Sequence, residues 1–221
     1  MENELVFMLG PLAIGVSVLT TWGIMLVTAV LAWLATRRLD MLPGPLQAMV
    51  EGIVSALEEA VLAVAPEHGR QIMPFVGTLW LFLIVANLIG LIPGLHSPTR
   101  DLSVTSALAV LVFFSVHWFG IKTWGLKQYL RHYLAPSPIL LPFHIISELT
   151  RTLALAIRLF GNIMSLEMTA MLILLVAGFL MPIPILMLHI VEALVQAYVF
   201  GMLALIYLAG AIQSQQLNRQ E

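Results

Sequence analysis

The stretch from Glu148 to Glu167, ELTRTLALAIRLFGNIMSLE, sets two arginines and two carboxylates in a run otherwise apolar enough to enter a bilayer. At membrane depth an arginine costs at least ~3 kcal/mol even on the mildest insertion scale, so one that stays there is paired, faces an aqueous cavity or works on an ion path. Arg158 is the sharpest case. Its neighbours three and four residues away are Leu155, Ala154, Gly161 and Asn162, so Asn162 is its one polar neighbour within a turn and no carboxylate is in reach. The counter-charge of Arg158 therefore has to come from elsewhere. Arg151 differs, because Glu148 lies three residues before it and can neutralise it locally.

Arginine holds its proton, so Arg158 can act as a fixed charge or donor but not as a relay. A fixed positive charge repels a passing cation and attracts a deprotonated carboxylate. Glu167, and near the C-terminus His189 and Glu192, are of the opposite kind and can load and unload protons. His189, Glu192 and Gln196 are separated by three, four and seven residues, which places all three on one helix face. A non-titrating barrier beside titratable groups on two helices is what an ion path needs if leakage is to be blocked and exchange with water allowed. In the plainer reading, Glu167 or Glu192 only neutralises an arginine across the helix pair. Glu167 lies nine residues from Arg158, about half a turn round a straight helix, so the two should not face the same partner.

Of 221 residues, 60% are hydrophobic and 10% charged, where a soluble domain carries about 25% charge. With a mean hydropathy of +0.99, the composition specifies an integral membrane protein. The net charge of −2 says little about partners, and no stretch resembles the basic stripe of a nucleic-acid binder. Without cysteine there is neither a disulfide framework nor a thiolate metal site. Phosphate-binding Gly-rich loops, nucleophile elbows and HExxH are missing from the sequence. The acidic start MENELVFMLG lacks the basic opening of a secretory signal and is expected to be retained.

Residues 11–36 carry no charge and exceed the ~20 residues needed to cross the hydrocarbon core. Further spans are predicted at about 73–95, 102–121, 143–178 and 185–213, in a single membrane domain over 1–221. Between the first two spans, residues 48–62 put Glu51, Ser55, Glu58 and Glu59 on one stripe and Val50, Ile53, Val54, Leu57 and Val61 on the other. That pattern predicts an amphipathic helix at the interface, packed on the protein's own surface. Basic residues flank spans on the cytoplasmic side. Arg37, Arg38, Arg70, Lys122, Lys127, Arg131 and Arg219 then lie inside and Arg100 alone outside, which places the N-terminus outside and the C-terminus in the cytoplasm. Asn87 and His117 fall within spans, where a lone polar residue usually serves an interhelical hydrogen bond. Residues 144–178 would make a helix of about 50 Å, longer than the ~30 Å core, so it must tilt steeply or break near Gly161. The fold class is all-α membrane protein: about five embedded helices and one interfacial helix, the last two long helices forming a tilted hairpin joined at Pro182–Pro184.

The run LAIRLFGNIMSLE at 155–167 closely resembles the signature of subunit a of the F-type ATP synthase, and HIVEALVQAYVFGMLALIYLAGA is similar to that family's last helix. The likeness extends through TTWGIML, ANLIGLIPG and SPTRDLSVTSALA, and so covers nearly the whole chain. Thr152 stands where many members have proline after the basic residue, a difference of local helix geometry. The resemblance implies a non-catalytic stator beside a rotating ring of c subunits, each with one membrane carboxylate, together with peripheral-stalk b subunits, the rest of the synthase and membrane lipid. It further implies two aqueous half-channels, H+ or Na+ as the ion, and the bacterial inner membrane. No cofactor, metal or nucleic acid is expected, since ATP chemistry in this family belongs to the soluble head. By resemblance Arg158 is the stator arginine, Gln196 its neighbour, and Asn162, Glu167, His189 and Glu192 match polar positions along the water paths, with Glu148 and Arg151 as secondary candidates. The rival reading is a stand-alone secondary transporter or channel in which Arg158 holds an anion. An inverted repeat would favour it, and the sequence contains none.

Overall fold

The computed structural model describes residues 5–9, 12–37, 44–92, 95–126, 129, 141–177 and 183–217. The helices are α1 (Val16–Thr36), α2 (Pro45–Val64), α3 (Gly69–Leu88), α4 (Leu102–Trp124), α5 (Leu141–Ala177) and α6 (Ile183–Leu217). Short 3-10 turns at Ile89–Leu91 and Pro98–Arg100 flank the loop between α3 and α4. All helices except α2 are long and apolar enough to cross a membrane.

The first span begins later than its charge-free run suggested. Strands β1 (Leu5–Leu9) and β2 (Leu12–Gly15) form an antiparallel hairpin, with Leu9 opposite Leu12 and Leu5 opposite Gly15. Gly15, extended at φ −81 and ψ 164, is the N-cap of α1. The run is longer than a span requires, so its first residues are free to adopt another conformation without shortening the crossing. At the other end of the chain, α5 passes through Gly161 unbroken for 37 residues, about 55 Å at 1.5 Å per residue. The junction at Pro182–Pro184 lies partly outside the described residues, and α6 has already started at Ile183.

Helix α6 is the hub. With α2 and α3 it buries Val61, Ile72, Val76, Trp80, Leu205 and Leu208; with α3, α4 and α5 it buries Leu83, Val112, Leu159 and Phe200 around Ala156, Ala197 and Ala204. Alanines at these crossings let backbones approach closely, which in lipid replaces the hydrophobic drive for helix association. Gly201 marks the tightest approach, because a side chain there would overlap the Trp80 indole. That indole stacks on Tyr198 and donates to the Tyr198 carbonyl at 3.3 Å. The expected pairing of α5 with α6 exists, yet α6 leans more broadly on α3 and α4, and α5 on α4. By contrast α1 buries only Ile24.

Candidate functional site

Arg158 lies on the exposed side of α5, in a row with Ala154, Gly161 and Ser165, while Leu155, Leu159 and Ile163 on the other side are buried. Among the described residues it has no ion pair and no hydrogen bond. One turn on, Asn162 Nδ2 donates to Gln196 Oε1 at 2.7 Å, a side-chain bond joining α5 to α6. Gln196 is 4% exposed, and its own Nε2 is buried without a partner.

Two further orphaned atoms belong to residues singled out by sequence: His189 Nε2 and Glu167 Oε1. A buried polar atom without a partner forfeits about 1–3 kcal/mol of solvation, and such atoms are rare enough to mark a strained or water-lined site. All three orphans recorded among the described residues fall on predicted site residues. Glu192, on the same helix as His189 and Gln196, is half-buried.

Glu167 has an arginine partner, though not one across the helix pair. Arg100 Nη1 donates to Glu167 Oε2 at 2.9 Å, and His96 Nδ1 stands 3.2 Å from the same nitrogen. The loop that carries Arg100 is held by buried hydrogen bonds. Ser97 Oγ donates to the Ala86 carbonyl at 2.8 Å, and Thr99 Oγ1 donates to Asn87 Oδ1 at 2.8 Å. Asn87 Nδ2 in turn donates to the Ala193 carbonyl at 3.2 Å, the interhelical bond anticipated for a lone polar residue in a span. One short loop thereby connects Glu167 on α5 with the residue next to Glu192 on α6.

Towards the other end of α5 the local pair open to Arg151 does not form. Its guanidinium lies over the Tyr207 ring, 4.6 Å from the centroid, while Glu148 Oε2 is 3.3 Å from His117 Nε2 on α4. A planar guanidinium stacks well on an aromatic face, and Glu148 turns to α4. His117 Nδ1 also lies 2.8 Å from the Phe113 carbonyl. No grouping of His, Asp and Glu among the described residues is suited to a metal ion.

The sequence matches the family described as ATP synthase A chain over residues 18–209. The chain belongs to that family. It is 64% identical over 217 residues to ATP synthase subunit a 2 of Pelobacter propionicus, covering 98% of this chain and 95% of the relative. Against ATP synthase subunit a 1 of Hahella chejuensis the identity is 67% over 205 residues, covering 93% and 87%. ATP synthase subunit a of Legionella pneumophila is 58% identical over 215 residues, covering 97% and 94%. Membership of the ATP synthase A chain family makes this an integral membrane component of that synthase with a role in ion transport. Sequence reasoning missed Arg100 as the partner of Glu167, and Ser97 and Thr99 as the residues that hold its loop. One signal was there: Arg100 is the single basic residue assigned to the outer side, where seven were assigned to the inner.

Proposed function

We propose that the chain is the ion-translocating stator subunit of a rotary ATP synthase, in which Arg158 is the fixed charge separating two aqueous half-channels. Through these, H+ or Na+ is exchanged with the carboxylates of a rotating c-ring. The observation that carries this reading is Arg158 itself, exposed on α5 among small residues and without a partner among the described residues. Small neighbours let a second helix come close, so a carboxylate of another chain can reach the guanidinium. In a low-dielectric site that charge favours the ionised carboxylate and raises the energy of a cation passing straight between the half-channels.

Glu167, His189 and Glu192 belong to the outer half-channel in this reading, and the unpartnered Glu167 Oε1 and His189 Nε2 support it because water in a channel would satisfy both. Asn162, one turn from Arg158, and Gln196 are bonded to each other and tie α5 to α6 beside the charge in this reading. Glu148 and Arg151 stand towards the inner side, which agrees with the cytoplasmic C-terminus given by the basic residues. Peripheral-stalk b subunits and inner-membrane lipid complete the surroundings, and ATP chemistry is left to other subunits.

The test is ATP-driven ion pumping and passive permeability in vesicles reconstituted with the assembled complex. Arg158→Ala should stop pumping and raise the passive leak. Arg158→Lys keeps a charge but loses the planar fork and should retain only a small part of the rate. Replacing Gln196 should impair coupling only partly, since a neutral side chain positions the charge without supplying it. Pumping by Arg158→Ala at the wild-type rate would sink the mechanism.

A further inference from the structure

We infer that Arg100, on the loop between α3 and α4, is a positioning residue for Glu167 at the outer end of the ion path, a role that rests on the stator reading above. The Arg100 side chain is 38% exposed and that of Glu167 only 10%, so the guanidinium reaches from the loop surface down to a recessed carboxylate. It holds that carboxylate by one oxygen. Nη1 bonds Oε2, and Oε1 stays buried with no hydrogen-bond partner among the described residues. A bidentate clamp would occupy both oxygens; the single bond fixes the direction of the carboxylate and leaves one oxygen for the ion.

The surroundings keep this geometry in place. Gly90 provides the space beside the free oxygen: a Cβ there would stand 3.3 Å from Glu167 Oε1 and 3.2 Å from the Ser97 Cβ. Arg100 leaves the backbone between two fixed points, the buried Ser97, Thr99 and Asn87 cluster on one side and the Asp101 cap of α4 on the other. The loop is therefore secured without the guanidinium, which is free to serve Glu167. His96, at 3.2 Å from Nη1, gives the same group a second polar neighbour on the exposed side. Loss of Arg100 leaves a recessed carboxylate with neither a compensating charge nor a fixed orientation.

A double-mutant cycle in the assembled synthase tests this, with ATP-driven pumping in reconstituted vesicles as the readout, scaled to the amount of complex. Glu167→Gln should slow pumping, and Arg100→Gln should slow it by about fivefold or more. The double variant should be no slower than Glu167→Gln alone, because groups that act through one another are non-additive. Arg100→Lys should fall between wild type and Arg100→Gln. Wild-type pumping by Arg100→Gln beside slowed pumping by Glu167→Gln would overturn the positioning role and leave the stator reading intact. Fully additive losses would also overturn it, by making Arg100 a loop residue that acts independently of Glu167. Wild-type pumping by Glu167→Gln would remove Glu167 from the path and this inference with it. Should Arg100→Gln not assemble, Arg100→Lys is compared in the wild-type and Glu167→Gln backgrounds. Slowing in the first alone supports the role; slowing in both, or in neither, overturns it.

Discussion

Residues in this chain fall into those that hold helices together and those left unsatisfied, and Gly201 shows how narrow the margin is for the first kind. It sits where α6 passes Trp80, whose ring is 2% exposed and stacked on Tyr198. A methyl group there must displace a buried indole that has nowhere to go. Gly201→Ala should therefore destabilise the helix bundle by about 1–3 kcal/mol, seen as a lower melting temperature of the purified complex and less subunit in the membrane; an unchanged melting temperature would mean that α3 and α6 can move apart freely. The unsatisfied residues were the legible ones. Arg158, Glu167, His189 and Gln196 stand out because each is polar in an apolar run, and a lone polar side chain is visible without knowing its neighbours. Arg100 stood out only as the one basic residue assigned to the outer side; its bond to Glu167 was not legible, since it spans 67 residues and no periodicity links a loop to a helix that far away.

At the scale of elements, charge-free runs located α1, α3 and α4, because burial in lipid disfavours charge over a fixed length, and α5 and α6 were legible from long apolar runs that carry a few charges. They could not distinguish strand from helix at the first residues of the chain, nor decide whether α5 breaks. Gly161 costs a helix roughly 1 kcal/mol relative to alanine, which the hydrogen bonds of a long helix readily outweigh, and α5 runs through it. The amphipathic pattern of α2 was also sound, but only its C-terminal half is packed: Val61 is fully buried against α3, while Met49, Val50, Ile53 and Val54 are exposed. Those apolar side chains suit the hydrocarbon edge, and Glu51, Glu58 and Glu59 suit water. Glu58 and Glu59 line an open cleft with Ser55. A cysteine at Glu58 should react with a membrane-impermeant thiol reagent applied to inverted vesicles and stay silent in right-side-out ones. Labelling from the outer face alone would reverse the orientation drawn from Arg37, Arg38 and the other basic residues.

For the whole molecule, the decisive matter is whether the chain contains everything its chemistry requires. Its interior is arranged around α6, yet α1 buries a single residue and Arg158 lies on the exposed side of α5 between apolar stretches. A self-contained transporter would place its essential charge in an internal cavity, paired with substrate between two structural halves. Here Arg158 is exposed on α5, with no ion pair or hydrogen bond among the described residues. On the proposed stator reading, the other half of the site comes from another chain. The purified chain reconstituted alone should carry no Arg158-dependent ion flux, and flux should appear when the c-ring and the rest of the synthase are restored to the same vesicles. The measurement is ion uptake under an imposed gradient, with Arg158→Ala as the reference in both preparations. Flux by the isolated chain that disappears in Arg158→Ala would establish a stand-alone transporter, because a guanidinium that waits for a ring carboxylate has nothing to act on when the ring is absent.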